Sequence, residues 1–252
     1  MTHETLAEPS LSLPAARVPT RLRLRKAGYA LLGVSVSLNL LSMAVPALID
    51  HPLTRDRGEV QNYLDVFVEG NLPTWWSTGL LVVGAVLYAL VAVVARATSK
   101  ADAWAWSCGA VLLGLLSLDD HTQLHERLDR IGRELVSFDG FPFYWLIPGL
   151  LAGAVVATGL AYLARRLRGR LRWGVVGGCA VLLGCALGME GLQGLLIAAD
   201  ESGPLYVLTY HAEELGENLG VLLLIATAAA ALRIERDGRA TVLHYDGGHD
   251  QR

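Results

Sequence analysis

The 252-residue sequence has few charged and few aromatic side chains. Asp, Glu, Lys and Arg make up 18% of the chain and Phe, Trp and Tyr 7%, whereas hydrophobic residues make up 53%. Such a composition, with its apolar residues gathered in blocks, is typical of a membrane protein. The few arginine clusters form no basic stripe and carry no recognised motif. Nucleic-acid binding is therefore not expected.

Cysteine is also scarce. Cys108, Cys179 and Cys185 all lie in apolar segments, and no two of them have the C-x-x-C spacing. Each is expected to be a small buried residue rather than a reactive thiolate. A metal site in this protein would then use carboxylate and imidazole ligands, which argues against a thiolate-rich zinc site.

Six apolar stretches are long enough to cross a membrane as helices. A helix rises about 1.5 Å per residue, so about 20 residues span a hydrocarbon core of about 30 Å. The third stretch is short, but helix-favouring residues continue to about Leu135, and we expect the helix to extend that far. The sequence thus predicts an all-α, polytopic membrane bundle of six transmembrane helices. The six stretches are 27–48, 74–94, 103–118, 143–163, 173–198 and 205–232.

Basic residues concentrate on one side of this six-helix arrangement. The larger set comprises clusters at 17–26, 96–100, 165–172 and 233–239, and the smaller set comprises the arginines at 55–57 and 127–133. The positive-inside rule then predicts a multi-pass protein of the cell membrane with both termini in the cytoplasm. The predicted parts are a disordered cytoplasmic tail (1–20), a transmembrane domain (21–235) and a second cytoplasmic tail (236–252).

Three of the predicted helices carry acids and histidines within or beside their apolar stretches. The run 117–126 follows the third stretch, Glu190 lies inside the fifth, and 211–218 lie near the start of the sixth. Helical rise places Asp119 roughly 24 Å and Glu190 roughly 26 Å from the inner ends of their helices. His211 lies about 9 Å from the outer end of its own helix. All three motifs are therefore expected in the outer half of the membrane, facing the extracytoplasmic side.

Ionisable groups at membrane depth usually mark function. Helical bundles build dinuclear metal centres from about four carboxylates and two histidines, and the three motifs supply these types. The sequence therefore predicts a site for a divalent metal ion, with iron, zinc, manganese or copper left open. Glu126 and Glu217 are also predicted as catalytic groups for proton transfer. The predicted ligands are Asp119, His125, Glu126, Glu190, His211, Glu214 and Glu217.

Each motif also has an ordinary structural explanation. The charges after the third stretch would be solvated in an outer vestibule, or paired with nearby arginines, if that helix ends early. Glu190 would be a protonated carboxyl that hydrogen-bonds across helices. Asp120 lies off the arc that holds Asp119 and His125, so a pairing with a neighbouring side chain is expected for it. Three acids between Glu213 and Glu217 cannot all ionise at membrane depth without cations or raised pKa values.

The motif L-D-D-x-x-x-x-H-E at 118–126, the lone Glu190 and E-E-x-x-E at 213–217 resemble a group of small uncharacterised bacterial multi-pass membrane proteins. That resemblance covers helices three to six and implies a membrane location without an activity. A weaker likeness is to alkaline ceramidases and related seven-helix hydrolases, whose zinc is held by histidines near a serine and an aspartate. The matching residue types are Ser117, Asp119 or Asp120, His121, His125 and His211. Residue order and helix count depart from that family.

Several functions remain open at this point. The leading hypothesis is a metal-dependent membrane enzyme, a hydrolase or an oxidoreductase, whose lipid-like substrate arrives from the outer leaflet. A cation or proton carrier would use the same acids for an ion in transit. Metal-free acid catalysis on an isoprenoid, by a protonated carboxyl such as Glu190, is a third hypothesis. The lipid bilayer and a lipid-like small molecule are the expected partners.

Overall fold

A computed structural model of the protein describes residues 20–21, 24–136, 140–237 and 240–247. Within them the chain is helical except for a small sheet at one end. The helices are α1 (Arg25–Leu48), α2 (Glu59–Leu64), α3 (Leu72–Ala95), α4 (Lys100–Thr122), α5 (Leu124–Arg127), α6 (Asp129–Leu135), α7 (Leu146–Arg166), α8 (Gly169–Leu183), α9 (Glu190–Ala198) and α10 (Pro204–Ala230). A π-helical segment, Gly184–Met189, joins α8 to α9. The strands are β1 (Thr20–Arg21), β2 (Leu232–Asp237) and β3 (Ala240–Tyr245).

Five of the helices are long and apolar enough to cross a membrane. They are α1, α3, α4, α7 and the continuous helix Gly169–Ala198, which comprises α8, the π-helical segment and α9. The all-α prediction is confirmed at this level. Helix α10 has 27 residues but carries three acids in its middle and is not among the five. The sixth span and the cytoplasmic location of both termini stay predictions.

Local sequence explains where α3 and α4 begin and where α4 ends. The Asn71 side chain accepts a hydrogen bond from the Thr74 amide at 3.2 Å, and Ser99 does the same for the Asp102 amide at 3.2 Å. Such N-caps satisfy an amide that has no partner inside the helix. At its other end α4 stops before Gln123, whose backbone is left-handed with a φ of 54°.

That left-handed residue corrects the prediction for the third helix. A single helix continuing to Leu135 is wrong, because α4 ends at Thr122 and the chain continues as the short helices α5 and α6. Asp119 therefore lies in the last turn of α4. His125 and Glu126 lie beyond its end, on α5, where the chain can fold back over the end of the bundle.

The long helices run alternately up and down, which gives the bundle two distinct ends. The site end holds the ends of α1, α4 and α9 and the starts of α3, α7 and α10. The hairpin end holds the opposite helix ends and the sheet, in which β2 and β3 form a hairpin. Asp120 near the end of α4 bonds Ser77 and Thr78 near the start of α3, which ties these helices at the site end.

Large side chains fill the centre of the bundle. Tyr88, Trp106, Leu163 and Leu224 are almost wholly buried, and the Tyr88 and Trp106 rings pack edge to face with centroids 4.8 Å apart. Many apolar side chains point outwards instead. Exposed ones include Val86, Leu151 and Leu195. A helix bundle that is apolar both inside and outside is suited to a lipid environment.

Glycine permits a close helix contact between α8 and α10. A Cβ on Gly220 would lie 2.6 Å from the Leu182 backbone nitrogen, and one on Gly178 would lie 3.1 Å from the Gly220 carbonyl oxygen. No side chain fits between these backbones. This small-residue packing is the usual means by which membrane helices approach closely.

The sheet closes the hairpin end. Strand β2 pairs antiparallel with β1 and with β3, in the order β1-β2-β3. Tyr245 of β3 donates its hydroxyl to Asp102 Oδ2 at 3.2 Å, and burial raises the pKa of Tyr245 to about 12. Arg166 Nε lies 3.0 Å from Asp102 Oδ1, and Trp106 Nε1 donates to the Tyr245 hydroxyl at 3.2 Å. The hairpin is thus fixed to α4 and α7 through the buried Asp102.

The segment 236–252, predicted as a cytoplasmic tail, includes part of the hairpin. Residues 240–245 of the segment 236–252 form β3, and 248–252 lie outside the described residues. Residues 1–19, which make up nearly all of the predicted N-terminal tail, also lie outside them.

Candidate functional site

The site forms around the fold-back of the chain after α4. Asp119 Oδ1 accepts a hydrogen bond from the His125 backbone nitrogen at 2.8 Å, and Asp119 Oδ2 lies 3.2 Å from His125 Nδ1. Both carboxylate oxygens therefore hold one residue, six positions further on. The left-handed Gln123 supplies the reversal that this contact requires.

The other ring nitrogen of His125 faces a carboxylate from a different part of the chain. Nε2 lies 3.7 Å from Glu69 Oε1. Glu69 precedes α3, and its Oε2 is buried with no hydrogen-bond partner among the described residues. Glu69, His125 and Glu126 each offer one possible metal-ligand atom, and these three atoms lie within 4.8 Å of one another. We call these three residues the acid–histidine cluster.

Charges around the cluster change the ionisation of its members. Burial raises the pKa of Glu69 to about 7, with His125 opposing that rise and Glu126 adding to it. Burial alone lowers the pKa of His125. The hydrogen bond and charge of Asp119, with the charges of Glu69 and Glu190, outweigh it and raise that pKa to about 9. At neutral pH the imidazolium therefore partly neutralises the surrounding acids.

The donor set of the cluster fits a divalent transition metal. When a histidine Nδ1–H is held by a carboxylate, the tautomer is fixed and the Nε2 lone pair is directed to the ligand side. Here Nε2 faces Glu69, Glu126 belongs to the same cluster, and the partnerless Glu69 Oε2 could supply a further oxygen. One imidazole with carboxylates suits iron, manganese or zinc. A metal would displace the proton of His125 on binding.

Trp145 connects the cluster to Glu190. The Trp145 ring packs against the His125 ring with centroids 4.6 Å apart, and its Nε1 donates to Glu190 Oε1 at 2.7 Å. Glu190 directly follows the π-helical segment Gly184–Met189. Wide turns of this kind are frequent at functional sites. The structure thus brings Asp119, His125, Glu126 and Glu190 together, four of the seven predicted ligands.

Acids of α10 extend this arrangement into the bundle. Glu214 interacts electrostatically with Asp120, Glu69 and His125. Glu217, one turn deeper, interacts with Glu214 and with Asp120. Neither carboxylate makes a side-chain hydrogen bond within the described residues, whereas neighbouring Glu213 accepts one from the buried Gln193. Glu214 and Glu217, two of the three predicted ligands on α10, therefore line the interior beside the cluster without entering it.

His211 lies apart from the cluster. Its Nδ1 is 2.8 Å from the Val207 carbonyl oxygen, and its Nε2 is 3.1 Å from Ser42 Oγ on α1. Ser42 Oγ in turn accepts the Val66 amide at 3.1 Å. Both ring nitrogens are occupied in the buried interior, so this histidine ties α10 to α1.

The neighbouring Asp120 also has partners of its own. Its Oδ2 accepts hydrogen bonds from Ser77 Oγ at 2.8 Å and Thr78 Oγ1 at 2.6 Å. That is the pairing expected for it, and it leaves Asp120 between the cluster and α10. His121 is exposed at the end of α4.

Sequence reasoning did not identify Glu69 and Trp145. Glu69 is a single acid in a loop, with no helical spacing to relate it to the later motifs. The available signal was its position two residues before Asn71, which places it at the same membrane end as the other motifs. Trp145 lies outside the three motifs, and the available signal was that a buried indole N–H needs an acceptor.

Comparisons with known proteins add a family but no activity. No curated protein and no solved structure matches the chain. A family model described as Domain of unknown function (DUF8692) matches residues 27–232. This description agrees with the uncharacterised status of the proteins that the sequence resembles, whereas no match supports the likeness to alkaline ceramidases. The match covers α1 from its third residue, the other four candidate spans and α10 in full, and only Leu232 of the hairpin. The chain belongs to the DUF8692 family.

Proposed function

We propose that the protein is an integral membrane enzyme that binds a divalent metal ion at Glu69, His125 and Glu126 and acts on a lipid-like substrate. The observation that carries the proposal is the position of His125. Asp119 holds its Nδ1 at 3.2 Å while its Nε2 faces Glu69 at 3.7 Å, with Glu126 in the same cluster. A carboxylate–histidine pair of this kind orients the ring of metal-binding histidines.

Each residue has a distinct role in this proposal. Glu69, Glu126 and His125 Nε2 hold the metal, and Asp119 positions His125. A metal bound there would act as a Lewis acid or a redox centre. Glu190, fixed through Oε1 by Trp145, accepts or donates the proton that the reaction moves, the role predicted for Glu126 and Glu217.

The surroundings support an amphiphilic substrate. Glu126 is exposed, so the cluster is open on the side of α5. Phe67, Tyr206 and Tyr210 form an aromatic group at the same end, with the Phe67 and Tyr210 ring centroids 5.1 Å apart. Aromatic side chains at the end of a bundle are placed where lipid head groups meet acyl chains.

The first experiment measures metal in the full chain purified in detergent without chelators. Elemental analysis should find stoichiometric iron, manganese or zinc in the wild type and much less in Glu69→Gln and Glu126→Gln. Glu59→Gln is the matched control, because Glu59 is an exposed acid at the same end outside the cluster. A wild type that holds no metal and takes up none of the three would overturn the proposal.

The second experiment tests the reaction. Metal-loaded wild type and Glu190→Gln are incubated with a total bacterial lipid extract, and the lipids are compared by mass spectrometry. We expect a species formed by the wild type and much reduced with the variant, whose amide can still accept the Trp145 hydrogen bond. No change with metal-loaded wild type would contradict the enzymatic part.

A cation carrier is the second candidate, favoured by two buried side-chain oxygens. Asn39 Oδ1 on α1 and Asn218 Oδ1 on α10 have no hydrogen-bond partner among the described residues. Such atoms, with Glu214 and Glu217 nearby on α10, provide oxygen ligands for an ion deeper than the cluster. Uptake of the metal ion into proteoliposomes should then be abolished in Asn218→Leu and kept in Glu190→Gln, and this result would favour the carrier.

A further inference from the structure

A groove runs between α3 and α4 at the hairpin end, away from the acid–histidine cluster. Its volume is about 550 Å³. Small side chains form its floor, notably Ala92 and Ala103, and Val93 and Trp104 form its sides. Arg96 and Lys100 lie at its mouth, where the turn between the two helices begins and ends.

Packing between α3 and α4 explains why this face is hollow. Towards the core the helices are joined by Tyr88 and Trp106, and a Cβ on Gly109 would lie 2.7 Å from the Tyr88 ring. On the neighbouring outer face alanines replace these large rings. Val93 and Trp104, beside these alanines, are 70% and 73% exposed. The groove is therefore apolar and opens on the outer side of the bundle. In a membrane, lipid acyl chains would lie on that side.

The mouth of the groove is positively charged. Arg96 and Lys100 are both exposed, and neither forms an ion pair within the part of the chain that the structure describes. The acid closest to them in sequence is Asp102, which is buried and bound to Arg166 and Tyr245. Two exposed cations thus lie at the end of an apolar groove, and Asp102, the nearest acid in sequence, is already bound to other residues.

We propose that this groove binds an anionic phospholipid. One acyl chain lies between α3 and α4 against the alanine floor, and the phosphate contacts Arg96 and Lys100. Trp104 lies at the level of the glycerol backbone, where tryptophan is enriched in membrane proteins. Basic pockets between membrane helices recognise anionic head groups in the same way. This site needs only that the chain spans a membrane, so it does not depend on a metal at the cluster.

Bromine quenching of tryptophan tests the proposal on the full chain. The protein is placed in phosphatidylcholine nanodiscs that contain either dibrominated phosphatidylglycerol or dibrominated phosphatidylcholine at the same mole fraction. The signal of Trp104 is the difference between the wild type and Trp104→Phe. We expect stronger quenching of that signal by the anionic lipid, with a preference on the order of 5-fold for each basic residue.

The double variant Arg96→Gln, Lys100→Gln should lose this preference. Arg25→Gln with Lys26→Gln is the matched control, since both residues are exposed at the hairpin end outside the groove, and it should keep the preference. Equal quenching by the two lipids in the wild type would overturn the proposal. A preference unchanged in the Arg96 and Lys100 variant would overturn it as well, because the charge would then act from elsewhere.

Discussion

Asp119 uses both of its carboxylate oxygens on His125, at 2.8 Å from the backbone nitrogen and 3.2 Å from Nδ1. The first contact fixes the chain after α4, and the second fixes the ring. Removing the charge of Asp119 should therefore change the electrostatics of His125 before it changes the fold.

We expect Asp119→Asn to lower the pKa of His125 from about 9 towards its ordinary value of 6.5. The asparagine can still accept the backbone hydrogen bond but brings no negative charge. Proton NMR titration of the histidine rings in detergent measures the shift, with His125→Gln identifying the signal. Metal affinity should also fall, by about 10 to 100-fold as is usual for such supporting carboxylates. An unchanged pKa would show that Asp119 does not act on the ring.

The same raised pKa predicts how the stability of the metal-free protein depends on pH. Because the folded-state pKa lies above 6.5, the charged ring stabilises the fold fully below that pH, and the contribution is lost as pH rises through about 9. Glu69, with a pKa of about 7, adds a loss of stability in the same direction, so the difference between the wild type and Asp119→Asn measures the part that comes from His125. Thermal unfolding should show a midpoint that falls over this window, and falls less in Asp119→Asn. A midpoint that rises would contradict the assignment.

His211→Gln should weaken the fold while leaving the metal content unchanged. The substitution removes hydrogen bonds to Val207 and Ser42 and leaves buried polar groups without partners, which costs about 1–3 kcal/mol. Thermal unfolding measures the loss, and elemental analysis measures the metal. Ser42→Ala should show a similar loss from the opposite side of the contact. Metal lost from stably folded His211→Gln would restore His211 as a ligand.

Two glycine substitutions test the contact between α8 and α10. Gly220→Ala should destabilise the protein by about 1–3 kcal/mol, because its Cβ would lie 2.6 Å from the Leu182 nitrogen and the helices must separate. Gly177→Ala is the control, since a Cβ there has no neighbour within 4 Å. Alanine favours the helix at such a site by up to about 1 kcal/mol. Equal effects in thermal unfolding would show that the contact is not tight.

Arg166→Gln should loosen the hairpin end. Asp102 is 3% exposed and would keep only the Tyr245 hydroxyl, so a loss of about 1–3 kcal/mol is expected for its weakened hydrogen bonding. Hydrogen exchange should rise in 232–237 and 240–245 in particular. Arg170→Gln, at an exposed arginine of the same end without an ion pair in the described residues, is the control. Equal exchange in both variants would mean that Asp102 does not fix the hairpin.

Hydrophobic blocks of membrane length were sufficient to predict the long helices. They were not sufficient to predict the end of α4, because Gln123 has no glycine-like signature and its left-handed backbone serves the contact between Asp119 and His125. The hairpin was missed for a different reason. Its strands follow the last apolar stretch, and the residue that fixes them, Asp102, lies more than a hundred positions earlier.

The location of the site was easier to predict than its membership. Helical rise places Asp119 and Glu190 at comparable depth, and the structure joins both to His125, the latter through Trp145. The rise along a helix and the direction of a side chain around it do not reveal which side chain already has a partner. His211 has the right type, depth and helix, yet Ser42 and Val207 occupy its nitrogens. Glu69 has no periodic signal, yet it faces His125.

The π-helical segment Gly184–Met189 divides the helix Gly169–Ala198 into two parts. Towards the hairpin end, Gly178 and Leu182 are locked against α10. Towards the site end, Glu190 and Gln193 present their side chains to Trp145 and Glu213. The wide turn takes up one residue more than a regular turn, so the parts on either side of it each keep their own facing. The site-end part can therefore present Glu190 and Gln193 to Trp145 and Glu213 while the other part stays in register with α10.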